Sequence, residues 1–403
     1  MSKPNIKSLD MMKFTTIVPT REEKIAAAPA KKLPELNSYK ANELAAALHP
    51  AVQHLVVAEV IDAAPDVKTF VLKADAEAGT KSLAYFSAGQ YLSLSLKIGE
   101  SKITRPYSLS SSPKEALEGK YMLTIKRAGE GLASNFILDN WKVGEKVVSS
   151  APLGVFTYEP LRDAKTVIGL AGGSGITPFR SLAKAIADGD EDARLILLYG
   201  SRTLEDAVFQ DEFKELEKNC PKFRLVNILS ETEAEGCEHG FITANLIKKY
   251  APSEGDYSIF MCGPQAMYNF ADKEIATLGI RRKFVRHELF GEYRNPEKDA
   301  DFPKGKEGKY TLSVKMAGQE FKIPCTSEES LLVAMERAGI AAPAQCRSGI
   351  CGYCHSQLIS GDVYVPKSVD GRRLADLQFG YIHPCITFPV SDVSIDVPPA
   401  RTV

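Results

Sequence analysis

The sequence contains no run of eighteen apolar residues, although 44% of its residues are apolar. It has the material for buried cores, yet no membrane-crossing helix is expected. A dominant charge is also missing. Fifty basic residues stand against 51 acidic ones, for a formal net charge of −1. A surface made for a phosphate backbone shows as a basic excess, so a nucleic-acid partner is not expected. Residues 1–20 lack the apolar core of a secretory signal, and a cytoplasmic protein is expected. Histidine is scarce, with six in all, and His49, His54, His239 and His287 show no metal spacing. No Ser-His-Asp order or paired-carboxylate arrangement stands out either, so nothing points to hydrolysis.

The 403 residues suggest two to three domains at roughly 150 residues each. Residues 1–54 read as an Ala- and Lys-rich arm with one short helix capped by Asn42. The arm carries no cofactor motif. Residues 55–160 hold short β-prone runs at Val56–Val60, Lys68–Leu72, Tyr91–Leu96 and Tyr121–Lys126, separated by Gly, Pro and Ser. That spacing predicts an antiparallel barrel or sandwich. Residues 161–290 alternate buried-type strands (Thr166–Leu170, Leu195–Tyr199, Arg224–Leu229, Ser258–Met261) with helical stretches. Such alternation predicts a parallel sheet with helices on both faces. Residues 291–309 contain ten charged residues in nineteen and read as a solvated linker. Residues 310–403 form a last domain. It opens with a hairpin, Tyr310–Met316 and Glu320–Ile323 around Ala317-Gly318, and continues with a helix over Ser330–Ala338.

Four of the eight cysteines form a spaced set. Cys346, Cys351 and Cys354 make a C-x4-C-x2-C run, and Cys385 follows after thirty residues. This is the ligand spacing of a plant-type [2Fe–2S] cluster. Four thiolates must converge on two irons within one small loop, and Gly349 and Gly352 let backbone N–H groups approach the sulfurs. Zinc sites more often pair two C-x2-C units. His355 and His383 flank the set; with four cysteines present they are expected beside the cluster or at the surface rather than as ligands. Cys220, Cys237 and Cys325 are expected to be inert.

Two further constellations stand out. Arg105-Pro106-Tyr107-Ser108 is followed downstream by Lys126 and by Gly131-Leu132-Ala133-Ser134. Gly172-Gly173-Ser174-Gly175, with Thr177 and Pro178, follows a strand and opens a helix, as a diphosphate-binding turn does. Ser201-Arg202 and Cys262-Gly263-Pro264, with Met267, stand at the ends of other strands, where parallel sheets bind ligands.

Together these motifs resemble the ferredoxin–NADP reductase superfamily over residues 55–290 and plant-type ferredoxins over 310–403. The module order resembles the phthalate dioxygenase reductase-like branch. The resemblance implies an antiparallel β-barrel flavin domain, an α/β nicotinamide domain and an α+β, β-grasp [2Fe–2S] domain. By it, Tyr107 stacks on the isoalloxazine, Ser108 bonds near its reactive nitrogen, and Arg105 with the 131–134 turn neutralises the diphosphate. FAD is favoured over FMN, although Ala133 stands where the family usually has Cys. Cys262 would flank the nicotinamide, and Glu288 and Phe290 would meet the flavin edge and ring face; a core Phe is the plain alternative for Phe290. Ser108, Cys262 and Glu288 are the catalytic candidates.

The implied activity is an electron-transfer reductase, moving electrons from NADH to flavin to the cluster and on to a partner redox protein such as an oxygenase. NADH is expected over NADPH, because Glu231 stands where phosphate-binding relatives often place a base and Asp206 lies near Arg202. Two other readings remain open at this stage: a self-contained reductase of a corrinoid, quinone or nitro compound, and a redox-sensing adaptor. The complete nicotinamide set argues against the second.

Overall fold

The computed structural model describes residues 20, 22–28, 39–289 and 291–399. The chain divides after Ala47 into two units. Most of the arm falls outside the described residues. Residues 22–27 are helical, and a second helix, α1 (Lys40–Leu48), has no buried residue. It starts before the expected cap, because the N–H of Asn42 already bonds Tyr39 O at 2.9 Å and Asn42 sits inside the first turn. Among the described residues no helix is long and apolar enough to cross a membrane.

The second unit holds three modules. The first is a six-stranded antiparallel sheet of β1 (Gln53–Ala64), β2 (Val67–Ala74), β3 (Tyr91–Ile98), β4 (Ser101–Ser108), β5 (Tyr121–Lys126) and β6 (Lys146–Ser149), in the order β4-β3-β6-β1-β2-β5. A bridge from Leu109 to Leu123 brings the end of β4 to β5 and closes the barrel. Closure removes exposed strand edges. Leu55, Phe70, Leu92 and Tyr121 fill the interior. Two helices sit on the barrel, α2 (Pro113–Leu117) and α3 (Leu132–Asn140). Ser112 and Glu115 form a reciprocal capping box on α2, a device contributing about 1 kcal/mol.

The second module is a parallel sheet in the order β10-β9-β8-β7-β11-β12. Its strands are β7 (Thr166–Gly172), β8 (Arg194–Ser201), β9 (Phe223–Leu229), β10 (Glu238–His239), β11 (Tyr257–Cys262) and β12 (Val285–Glu288). The helices are α4 (Thr177–Asp188), α5 (Gln210–Asn219), α6 (Ala244–Tyr250) and α7 (Gln265–Ala276). Two apolar layers, one containing Phe179 and Leu195 and the other Ile168 and Ile259, pack the sheet. Burial on both faces explains why these strands read as continuous apolar runs. Arg180 on α4 is buried and ties this module to the barrel. It donates to Glu212 of α5 at 2.7 Å, to Glu115 of α2 at 3.2 Å and to the carbonyl of Ser110.

The third module is a mixed sheet in the order β14-β13-β19-β15-β17, with a separate pair, β16-β18. These strands are β13 (Lys309–Met316), β14 (Gln319–Thr326), β15 (Ser356–Ser360), β16 (Val363–Tyr364), β17 (Tyr381–Ile382), β18 (Phe388–Pro389) and β19 (Val393–Val397). The two-residue hairpin turn has φ of 50° at Ala317 and 78° at Gly318, the twist-matched geometry for such turns. Helix α8 (Leu331–Arg337), capped by Ser330, packs Leu331 and Met335 on Leu312 and Ile395. A short helix, α9 (Leu374–Gln378), lies near the last cysteine.

The segment 291–309 is solvated over 304–309, as its charge suggests, but its first part packs on the neighbouring modules. Phe302 is buried with Tyr364, Phe388 and Val390. Tyr364 Oη donates to Asp299 and Asp301 at 2.8 Å each, and Tyr293 Oη to Asp299 at 2.7 Å. Glu292, Asp299 and Asp301 thus meet arginine, tyrosine and lysine side chains of the neighbouring modules, which composition alone does not reveal.

Candidate functional site

The C-terminal ends of β7 and β11 face the ends of β4 and β5 across a cavity of about 430 Å³. Twelve of the expected residues line it: Pro106, Tyr107, Ser108 and Lys126 from the barrel, and Gly172, Gly173, Ser174, Gly175, Thr177, Cys262, Gly263 and Pro264 from the parallel sheet. The residues Arg105–Ser108 are the second half of strand β4. Ser108 Oγ is buried and lacks a protein hydrogen-bond partner. A buried hydroxyl left unpaired is costly, so its position suits a ligand that accepts or donates there. Burial raises the Tyr107 phenol far above its ordinary range, so the ring is neutral and available for stacking.

The two glycine turns touch backbone to backbone. A Cβ on Gly175 would meet Cys262 O at 2.1 Å, so no side chain fits there. Tyr199 Oη donates to Gly173 O at 3.2 Å and accepts from Val208 N at 3.1 Å, holding the first turn. Tyr268 Oη donates to Glu288 O and accepts from Gly263 N at 3.1 Å, stapling the second turn to β12. The first turn continues through a single 3-10 turn, Gly173–Ile176, into α4, and such a helix start suits a diphosphate. Pro178 does not line the cavity; it is buried in the first turn of α4, where its missing N–H costs nothing.

A second cavity of about 490 Å³ shares Lys126, Gly172, Gly173 and Pro264 with the first. The two form one continuous groove along the strand ends. Ser201, Arg202 and Met267 line the second part, as does Asp206. Arg202 Nη2 lies 3.2 Å from Asp206 Oδ1, and Lys126 Nζ lies 3.8 Å from the same oxygen. Phe241 and Phe270, with ring centroids 5.9 Å apart, form its apolar wall. Sequence reasoning missed this pair. Phe241 follows β10, a two-residue strand with no periodicity to show it, although an exposed Phe is itself a signal.

Cys262 and Glu288 are register partners on β11 and β12. Burial pushes the Cys262 thiol well up, with the Glu288 charge adding to it. Burial likewise pushes the Glu288 carboxyl well above its usual value, followed by the charge at Cys346. Burial thus disfavours the charged form of both groups. Glu288 does not line either cavity. Phe290 lies outside the described residues.

The 131–134 stretch is not a turn. Gly131 is the N-cap of α3, and Leu132, Ala133 and Ser134 are its first turn. Those four residues and Arg105 stand outside both cavities. The donors of Arg105 are engaged by Glu292 at 2.8 Å, Glu336 at 3.4 Å and its neighbour Thr104 O at 2.9 Å.

The four spaced cysteines come together as two pairs. Cys354 Sγ and Cys385 Sγ are 3.4 Å apart. A hydrogen bond from the Cys351 thiol is the main cause that lowers the Cys346 thiol; backbone N–H groups of Cys351 and Ser348 also point at its sulfur. Among the described residues, no three His, Cys, Asp or Glu converge on a single point. Two irons with two thiolates each need two pairs, so the donor set fits a [2Fe–2S] cluster. Gly349 and Gly352 have φ of 81° and 69°, which turns the loop around the sulfurs. His383 Nδ1 meets Gly349 O at 2.7 Å, and His355 stacks on Tyr381 at 4.0 Å. Both lie beside the loop, outside the cysteine pairs.

A closed flavin barrel, a dinucleotide sheet and a four-cysteine loop in one chain define a multi-module oxidoreductase. Family models match residues 54–158 as an oxidoreductase FAD-binding domain, 170–273 as an oxidoreductase NAD-binding domain and 314–390 as a 2Fe-2S iron-sulfur cluster binding domain. The chain is 31% identical over 358 residues to the ferredoxin reductase component of 3-ketosteroid-9-alpha-monooxygenase from Mycolicibacterium smegmatis, covering 86% of this chain and 96% of that protein. It is 28% identical over 353 residues to the glycine betaine monooxygenase reductase subunit of Chromohalobacter salexigens, covering 84% and 93%. The solved structure of phthalate dioxygenase reductase shares the fold, with a TM-score of 0.60 and 24% identity over 86% of this chain and 98% of that one. The chain belongs to the phthalate dioxygenase reductase-like branch of the ferredoxin–NADP reductase superfamily. It is an oxidoreductase whose cofactors are FAD, NADH and a [2Fe–2S] cluster.

Proposed function

We propose that the partner is a terminal oxygenase and that this chain is its cytoplasmic reductase component. The observation that carries the reading is the continuity of one chain from the nicotinamide groove through the flavin strand to the paired cysteines. Its relatives' names, reductase components of monooxygenases, favour an oxygenase over a small-molecule acceptor. All eight cysteines are unbridged, as expected in a reducing compartment.

FAD takes an electron pair as hydride and releases electrons singly, and the cluster carries one at a time. The protein's own residues do the positioning. Gly172–Gly175 and α4 hold the dinucleotide phosphates, and Phe241 with Phe270 shelters its apolar end. Gly263 and Pro264 keep the nicotinamide against the flavin cavity, with the neutral Cys262 thiol as a small wall. Ser108 Oγ faces the flavin ring, and Tyr107 covers it. The buried Glu288 carboxyl stands on the strand beside Cys262. Cys346, Cys351, Cys354 and Cys385 ligate the cluster. The 131–134 helix start lies at the diphosphate end of the flavin.

Reconstitution tests the reading. Holoprotein, NADH and a terminal oxygenase component with its substrate should give product in step with NADH oxidation, and omitting any one should stop it. If the holoprotein instead reduces a quinone or nitro compound far faster than every oxygenase component tried, the assignment to an oxygenase system is wrong.

A further inference from the structure

The strand that carries the flavin motif is fastened to the cluster loop. On one side, Arg105 of β4 bonds Glu292 at 2.8 Å and Glu336 at 3.4 Å. On the other, Arg347, the residue after the first cluster cysteine, reaches the same two acids: Glu292 at 2.5 Å and Glu336 at 2.7 and 3.0 Å. Two guanidiniums are thus bridged by two carboxylates, and the four charges cancel. The Arg347 side chain is fully buried, and its backbone sits at a φ of 59°. Thr104 adds a direct tie, donating from Oγ1 to Ala344 O at 3.1 Å. The parts come from β4, from the segment after β12, from α8 and from the cluster loop.

A buried arginine this close to a second, half-buried one is tolerated only while both acids are present. Arg347 also adopts a backbone conformation that non-glycine residues visit at a cost, which points to a role tied to this one geometry. We propose that Arg105, Glu292, Arg347 and Glu336 form a clasp that holds the cluster loop against the flavin strand and sets the rate of the internal flavin-to-cluster electron step. Glu292 and Glu336 are positioning residues in it. The proposal rests on the reading that electrons leave through the cluster. Small displacements of reacting groups carry large rate penalties, so neutralising one acid should loosen the loop and slow that step alone.

The test uses the full holoprotein with Glu292→Gln, a partly exposed position outside any regular element, alongside Glu336→Gln and Glu292→Asp. Each is mixed with NADH in anaerobic stopped flow. In Glu292→Gln, flavin bleaching and ferricyanide reduction should stay within about twofold of wild type, while bleaching of the cluster bands slows by about tenfold or more. The cluster's electron paramagnetic resonance signal should be unchanged in shape, and amide exchange over residues 344–349 should rise. Glu292→Asp should recover most of the rate, and Glu336→Gln should act in the same direction. Wild-type cluster reduction in both Gln variants overturns the clasp alone. Equal slowing of flavin bleaching also overturns it, because Glu292 would then serve the flavin site. If NADH cannot reduce the cluster even in the wild type, the clasp falls together with the reading it rests on.

Discussion

Asp206 shows how one side chain sets cofactor choice. It sits in the nucleotide groove and engages both nearby bases, Arg202 at 3.2 Å and Lys126 at 3.8 Å. A 2′-phosphate would have to compete with this carboxylate for those bases. Ser230 lines the groove, and the N–H of Glu231 bonds Arg202 O at 3.0 Å, so a second acid follows close by. NADH should exceed NADPH in kcat/KM by about a hundredfold, and Asp206→Ala should cut that ratio by about tenfold by freeing Arg202. Comparable kcat/KM values for the two cofactors in wild type would contradict this. Glu191 makes a pH-dependent contribution. Burial, then the charges of Glu159 and Asp190, raises its carboxyl from 4.5 to about 7. The folded state binds a proton that the unfolded state has released, so stability falls as pH rises from 4.5 towards and past 7. Glu191→Gln should therefore raise the melting temperature at pH 8, by about 1 kcal/mol in stability after allowance for solvent screening. At pH 4.5 the gain should vanish. An equal gain at both pH values would show that charge is not the cause. Asp206 was legible from its neighbour Arg202. Arg347 was not, because its partner Glu292 and the flavin-strand arginine are distant in sequence; Arg105 and Glu336 are 231 residues apart.

At the scale of elements, periodicity and punctuation carry most of the information. Tyr121–Lys126 is legible to the residue, because a β-rich run is bounded by Gly119 and by the glycines at 129 and 131. The parallel strands are legible as apolar runs. The two-residue β10 and four-residue β12 are not; they are held by their neighbours' ladders, and nothing local announces them. The start of α3 reads as a turn because Gly131 breaks the pattern, although glycine also serves as an N-cap. The first part of the charged 291–309 segment reads as solvated because the partners of Glu292, Asp299 and Asp301 lie in other modules. The packed glycine turns make a sharper claim. Gly175→Ala forces a Cβ against Cys262 O and should separate the two turns. We expect kcat/KM for NADH to fall by about a hundredfold while bound flavin, measured by its absorbance after purification, is retained. Loss of flavin in equal measure would show that the turn supports the barrel rather than the nicotinamide.

Over the whole molecule, three modules must hand on electrons in one direction. The cysteine spacing made the exit legible, since four ligands fall within forty residues. The module contacts that align exit and entry were illegible, because they join segments far apart in the chain. The last module is nearly neutral, with eight basic and nine acidic residues from position 310 onward, so long-range charge should contribute little to partner docking. The central claim is that electrons leave through the cluster, and Cys351→Ser tests it most directly. The substitution removes one sulfur of the Cys346 pair while the flavin barrel and nicotinamide sheet keep their own cores. After flavin content and the visible cluster bands are checked, two activities are measured on one preparation. NADH-driven ferricyanide reduction should persist, because that acceptor takes electrons at the flavin, and cytochrome c reduction should fall by about tenfold or more. Cytochrome c reduction at the wild-type rate without a cluster would place the exit at the flavin and contradict the account.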